Sequence, residues 1–281
     1  MTQLGHTNST VQKENRIDTA FATLKSKGET ALIPFITVGD PNRQITLQLL
    51  LGMEEAGADA IELGIPYSDP LADGPVIEKA SARALQHHIT ISDGIELAKQ
   101  ARLQGANIPY ILFTYYNPVL QYGLEPLFQA LAEAEISGII IPDLPVEESG
   151  PVLEIADRYH VHLVPLVAPT SKERIQRIVN AARGFVYCVS SLGVTGTRDT
   201  FETNVEAFLD EVRASTTLPI GVGFGISSAE HVRRFRPHCD GVIVGSAIVR
   251  QIENAIPLLL NPDTSRAGVL QICEFVRQLK S

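Results

Sequence analysis

The stretch Ile61-Glu62-Leu63-Gly64-Ile65-Pro66-Tyr67-Ser68-Asp69-Pro70-Leu71-Ala72-Asp73-Gly74-Pro75 decides how the chain is read. It opens as a strand, because Ala60 to Ile65 is short, apolar and bounded by Gly57 and Pro66. Successive strand side chains point to opposite faces, so Glu62 faces away from Ile61 and Leu63. If those two pack under helices, Glu62 points into whatever the strand encloses. A carboxylate there is costly unless it is paired, hydrated or neutral. Eleven residues on, Asp73 lies in a loop marked by Pro70, Gly74 and Pro75. Two carboxylates, one on a strand end and one on the following loop, can face one pocket and divide acid and base roles. Asp69 stands before a proline and reads as a turn former. The bland alternative for Glu62 is a buried Arg or Lys partner, but this apolar strand offers none locally.

Outward from this stretch the same unit recurs. Residues 1–15 read as a loose tail. Arg16 to Lys27 carries Ile17, Ala20, Phe21 and Leu24 at helical spacing and ends at Gly28. Thr30 to Val38 is a buried strand, and Asp40-Pro41 reads as the start of a helix that stops near Gly57. After the Glu62 strand, Val76 to His87 and Ser92 to Gln104 read as helices. Pro109 to Tyr115 is a strand and Leu120 to Ala134 a helix. Gly138 to Pro142 is a strand, and the helix after it ends near Tyr159. Val161 to Val167 is a strand, and Thr170-Ser171-Lys172-Glu173 is a capping-box pattern. Phe185 to Ser190 is a strand, and Thr203-Asn204-Val205-Glu206 is a second capping box. Leu218 to Val222 and Gly241 to Val244 are the last strands. Helices follow from Ser227-Ser228, from Ser246 to Leu260, and from Thr264 to Leu279. Eight continuous apolar strands, each followed by helix, are what a parallel sheet covered by helices requires. The expected fold is α/β, a single (β/α)₈ TIM barrel over residues 16–281 with an extra N-terminal helix and additional helices. A doubly wound open sheet would want a G-x-G-x-x-G turn after its first strand, and Val38-Gly39-Asp40-Pro41 is not one.

In such a barrel the chemistry sits at the carboxyl ends of the strands, and phosphate is often held after the seventh and eighth. Gly221-Val222-Gly223-Phe224-Gly225 ends the seventh strand, and Gly245-Ser246 ends the eighth and opens a helix. A third glycine-rich segment, Leu192-Gly193-Val194-Thr195-Gly196-Thr197-Arg198, follows the sixth. Any one of these reads as a tight turn. Three at consecutive strand ends read as a phosphate cradle of backbone N–H groups and helix N-termini. Phe35, Phe113, Tyr115, Tyr187 and Phe224 lie at strand ends and suit a flat apolar ligand body if they cluster at the mouth.

The totals exclude several classes. The 281 residues are 44% hydrophobic and 20% charged, the profile of a soluble globular protein. A net charge of -9 argues against nucleic acid and anionic membranes as partners. No run is long enough to span a bilayer, and the polar first fifteen residues show no secretory signal. Cys188, Cys239 and Cys273 are odd in number and form no CxxC, so a reduced, cytoplasmic setting is expected. A Schiff-base aldolase needs a lysine on a strand, and no lysine lies in one. A metal-dependent lyase needs donors at the mouth, but His160 and His162 fall at the opening of the fifth strand, the other end of the barrel. No metal site is expected. An isomerase or another lyase on this scaffold stays open, as does a non-catalytic subunit that binds a phosphate ester.

Glu62 to Pro75 resembles the signature of the tryptophan synthase alpha chain family. Thr114-Tyr115-Tyr116-Asn117-Pro118, Pro142-Asp143-Leu144-Pro145, Gly193-Val194-Thr195-Gly196 and Gly223-Phe224-Gly225-Ile226 are similar to the family's other blocks, in the same order. The resemblance runs from about Arg16 to the C-terminus. It implies retro-aldol cleavage of indole-3-glycerol phosphate to indole and glyceraldehyde 3-phosphate without a cofactor. It places the acid–base glutamate on Glu62, the indole-orienting aspartate on Asp73 and a tyrosine near the substrate on Tyr187. Phosphate contacts fall on Gly196, Gly223, Gly225, Gly245 and Ser246, with Thr195 and Phe224 in the same blocks. It further implies a pyridoxal-phosphate-dependent beta chain as partner in an alpha2-beta2 heterotetramer. A stand-alone lyase releasing free indole would carry the same catalytic residues.

Overall fold

The computed structural model describes residues 14–189, 198–223 and 225–281. Strands β1 (Ala31–Thr37), β2 (Ile61–Gly64), β3 (Tyr110–Phe113) and β4 (Ile136–Ile140) run parallel in that order. They are followed by β5 (His162–Leu163), β6 (Leu166–Val167), β7 (Val186–Val189), β8 (Ile220–Gly223) and β9 (Gly241–Val244). β1 pairs with both β2 and β9, and the sheet order is β5-β4-β3-β2-β1-β9-β8-β7-β6. The two ends of that order, β5 and β6, are halves of the expected fifth strand. Pro165 divides them because it has no N–H to donate. The ring still closes there: Val164 donates to Ile139 O at 2.9 Å, and Pro165 O accepts from Tyr187 at 3.1 Å. The expected parallel barrel is therefore the observed fold.

Side-chain alternation divides the core into two layers. Leu32, Ile36, Ile61, Leu63, Leu112, Ile139 and Val242 face outward into one large apolar cluster with the surrounding helices. Ala31, Ile33, Ala60, Ile111, Ile140, Val164, Phe185, Tyr187 and Ile243 face inward into a second. Helix α1 (Arg16–Lys27) closes the amino end of the barrel by adding Ile17, Phe21 and Leu24 to that inner cluster. Phe21 meets Phe185 with ring centroids 5.5 Å apart. Asp18 of the same helix bonds His162 at 2.9 Å, so this histidine is a structural group at the amino end. Asn15, at the edge of the expected tail, caps α1 and donates to Ser137 O and His160 O.

Several local expectations are corrected. Helix α2 (Arg43–Glu55) does not start at Asp40-Pro41; its cap is Asn42, whose side chain accepts from Ile45 N–H. Asp40 is unavailable for capping, because Arg83 holds both its carboxylate oxygens at 2.8 Å. Arg83 belongs to α3 (Pro75–Leu85), which α4 (Ile91–Leu103) follows. The single helix expected over Leu120–Ala134 is two, α5 (Tyr116–Tyr122) and α6 (Leu124–Glu133), broken at Gly123 with φ +91°. Beyond α7 (Gly150–Arg158), α8 (Lys172–Ala181) is capped by Ser171, one residue later than the Thr170 pattern implies. The pattern Thr203–Glu206 does not open a helix: it lies inside α9 (Arg198–Ser215). Helices α10 (Ala229–Phe235), α11 (Ser246–Leu259) and α12 (Ser265–Lys280) complete the outer layer. Among the described residues, no helix is long and apolar enough to cross a membrane.

Candidate active site

Because α1 fills the amino end, the inner face opens only at the carboxyl ends of the strands. A cleft of about 950 Å³ lies there. Its wall includes Glu62, Asp73, Phe35, Phe113, Tyr187, Gly223, Gly225, Gly245 and Ser246, the expected site residues that the structure describes. Thr195, Gly196 and Phe224 lie outside the described residues, as does the Gly193–Thr197 loop.

Glu62 sits mid-strand between Phe35 and Ile111 in register. It is fully buried, and neither carboxylate oxygen has a hydrogen-bond partner among the described residues. Among the described residues Glu62 has no Arg or Lys partner of the kind the bland alternative requires. Burial alone pushes its pKa up to about 8. An isolated charge in such a place loses its hydration, so the carboxyl is held as the neutral acid near pH 7. Tyr187, two strands beyond β9 in the ring, has its own pKa raised well above the usual value, first by burial and then by the charge of Glu62. Its ring occupies the space that a Cβ on Gly223 would need: that atom would fall 2.6 Å from the phenol. Gly223 is thus a glycine because Tyr187 packs on it.

Asp73 reaches the cleft from the loop after β2. Its pKa is raised to about 6, chiefly by burial, with the Tyr115 hydroxyl lowering it and Glu78 adding repulsion. Tyr115 is not a wall of the cleft, contrary to its expected place among the mouth aromatics. It is 1% exposed and lies under the Asp73 loop, where its hydroxyl accepts from Ala72 N–H at 3.1 Å. Tyr67 stacks on it at 5.0 Å. Asp143 in turn accepts from Tyr116 N–H at 2.8 Å, so the loops after β2, β3 and β4 brace one another. Phe35 and Phe113 meet edge to face at 5.7 Å and make an apolar wall beside Glu62.

The opposite wall is polar backbone. Gly245 is the N-cap of α11 and Ser246 its first residue, and no side chain caps this terminus. The first N–H groups of a helix have no intrahelical acceptor, so these point out for another one. Gly225 has φ +58°, a conformation that suits glycine, and a Cβ there would meet open space. Arg83 ties the two walls together: besides Asp40 it binds Glu253 of α11 at 3.1 Å, locking α3 behind Asp73 to the helix that starts at Ser246. The sequence reading missed Ile77, Leu166, Arg250, Gln251 and Phe275, which also line the cleft. Only Arg250 carried a legible signal, standing one helical turn after Ser246.

Such a site offers a neutral carboxylic acid in an apolar slot, a second carboxyl group on the same cleft and a wall of polar backbone at a helix N-terminus. Residues 21–281 match the family model described as tryptophan synthase alpha chain. The chain is 53% identical over 247 residues to the tryptophan synthase alpha chain of Geobacillus kaustophilus, covering 88% of this chain and 92% of that one. It is 49% identical over 256 residues to that of Geobacillus stearothermophilus, covering 91% and 95%. The solved alpha subunit from Legionella pneumophila superposes with a TM-score of 0.86 at 34% identity, over 95% of this chain and 98% of that one. A site of this build on a barrel of this topology, matched along almost its whole length, places the chain in the tryptophan synthase alpha chain family.

Proposed function

We propose that Glu62 and Asp73 carry out the family's lyase reaction, the cleavage of indole-3-glycerol phosphate to indole and glyceraldehyde 3-phosphate. The observation that carries this reading is a buried carboxyl group with no hydrogen-bond partner among the described residues, whose pKa stands near 8 beside an apolar wall. The neutral acid of Glu62 gives its proton to indole C3, which breaks the ring's aromaticity and leaves positive charge on the ring nitrogen. Asp73 stabilises that charge as an anion at the N–H. The Glu62 carboxylate then takes the proton of the side-chain hydroxyl. The carbon–carbon bond breaks, its electron pair restores the indole, and the hydroxyl carbon leaves as the aldehyde. Glu62 ends as the neutral acid it began as, so one group serves both steps. Phe35 and Phe113 flank the indole ring, Tyr187 lies beside it, and the phosphate rests on backbone N–H groups of Gly225, Gly245 and Ser246, with Gly196 and Thr195 contributing from their loop.

A single catalytic domain over residues 16–281 belongs to the same reading, as does a cytoplasmic setting, in which the three free, buried cysteines would stay reduced. The partner is a beta chain that consumes the indole with pyridoxal phosphate, in an alpha2-beta2 heterotetramer. Indole is small and apolar and would escape through membranes if released. The docking face we assign is the mouth of the barrel around Tyr67, Asn117-Pro118 and Asp143-Leu144-Pro145, where Leu71 stands 82% exposed. Asn117, in the first turn of α5, already donates to the Tyr67 hydroxyl at 3.3 Å, joining that helix to the loop after β2. The rate of indole formation, measured with the chain alone and with its cognate beta chain, is expected to rise strongly on mixing, and the two should co-migrate on a sizing column. A chain fully active alone that never co-migrates would be the stand-alone indole-releasing enzyme.

A further inference from the structure

Among the described residues one cation lines the cleft, and the reaction as written does not use it. Among the side chains lining the cleft, Glu62, Asp73 and Arg250 are those that carry a formal charge in their ordinary state. Arg250 stands on α11 four residues after Ser246. Long side chains on a helix lean toward its N-terminus, so the guanidinium covers the turn that Ser246 begins. It is exposed, and no carboxylate among the described residues engages it. The acid nearest along the same helix face, Glu253, is already bound by Arg83.

A cation close to a helix N-terminus is in an unfavourable place, because that end of the helix favours negative charge. No acidic residue in the first turn of α11 offsets it. The arrangement is favourable once an anion occupies the terminus. The wider field makes the same demand. A chain of net charge -9 repels a phosphate ester at a distance, and an exposed arginine at the mouth supplies local attraction. We infer that Arg250 captures the phosphate of the substrate at the mouth of the cleft and holds it against the first turn of α11. This rests on the phosphate placement proposed above, and it adds a charged contact to a cradle otherwise built of backbone. A planar guanidinium with several donors matches phosphate oxygens well.

The test uses the full chain at low ionic strength, with indole release as the assay and glycerol 3-phosphate as a competing phosphate ester. Arg250→Gln is expected to raise KM and the inhibition constant of glycerol 3-phosphate about tenfold, with the change falling on KM far more than on kcat. Arg250→Glu should raise both further, and Arg250→Lys should recover most of the loss. Increasing salt should weaken wild-type kcat/KM and leave Arg250→Gln nearly flat. Inhibition by indole, which has no phosphate, should not move. The inference is overturned if Arg250→Gln and Arg250→Glu leave KM and the glycerol 3-phosphate constant within about twofold of wild type. It is equally overturned if indole inhibition weakens in parallel, since that marks a general disturbance of the cleft. Gly225→Asp separates this from the cradle itself: a high KM there with a normal KM in Arg250→Gln removes only the arginine.

Discussion

Glu62→Gln is expected to lose indole-forming activity by roughly 10²–10⁴-fold while remaining folded, the usual loss when a general acid–base group is removed. Glutamine keeps the shape of the neutral acid that burial enforces, but it can neither give a proton to indole C3 nor take one from the hydroxyl. A variant with more than about a tenth of the wild-type rate would remove Glu62 from the acid–base role. The pH profile adds a second reading. Glu62 must begin as the acid, so activity should fall as pH rises through about 8. Asp73 must be ionised, so activity should fall as pH drops through about 6. kcat/KM should therefore peak between these values, and Glu62→Gln should carry no residual limb near 8.

The same substitution has a stability signature of opposite sense. The folded chain holds the Glu62 proton up to about 8, while the unfolded chain releases it near 4.5, the ordinary value of a glutamate. Wild-type stability contributed by this group is fully present below about 4.5 and is lost progressively as pH rises toward 8. Glutamine does not titrate, so the Tm of Glu62→Gln should exceed that of wild type by a margin that widens over this window. A constant difference across it would mean that Glu62 ionises freely in the folded state.

Gly225→Asp is expected to raise KM by roughly 10²–10³-fold, the scale of placing a unit charge within a few ångströms of a phosphate at a partly screened site. A Cβ at this position meets open space, so the loss is not one of packing. The backbone at φ +58° costs a non-glycine residue something, although Asp and Asn tolerate it better than most. Gly225→Asn carries the same backbone cost without the charge and should have a far smaller effect. Equal KM values for the two variants would assign the loss to strain, and an unchanged KM in Gly225→Asp would move the phosphate elsewhere.

What the sequence determined by itself was whatever neighbours along the chain encode. Apolar runs broken at regular intervals by helical spacing were enough to read a barrel, and β9 and α1 lie at the residues where that reading put them. The parity of Ile61, Glu62 and Leu63 aimed the carboxylate inward before any fold was known, since a strand has a period of two. Capping was read less well. Asp40 looked like a cap because nothing local reveals that Arg83, 43 residues later, will claim its carboxylate. Tyr115 looked like a mouth aromatic because nothing local reveals that the Asp73 loop, 43 residues earlier, will fold over its hydroxyl. Ring closure decided these pairings by bringing the loops after β1, β2, β3 and β9 around one opening. It also decided that Glu62 meets no cation among the described residues, which is a property of every strand around it and of none alone. The raised pKa of Glu62, and an Arg250 charge that no carboxylate among the described residues engages, follow from that shared opening: burial and pairing are set by distant segments, while periodicity is set by adjacent residues.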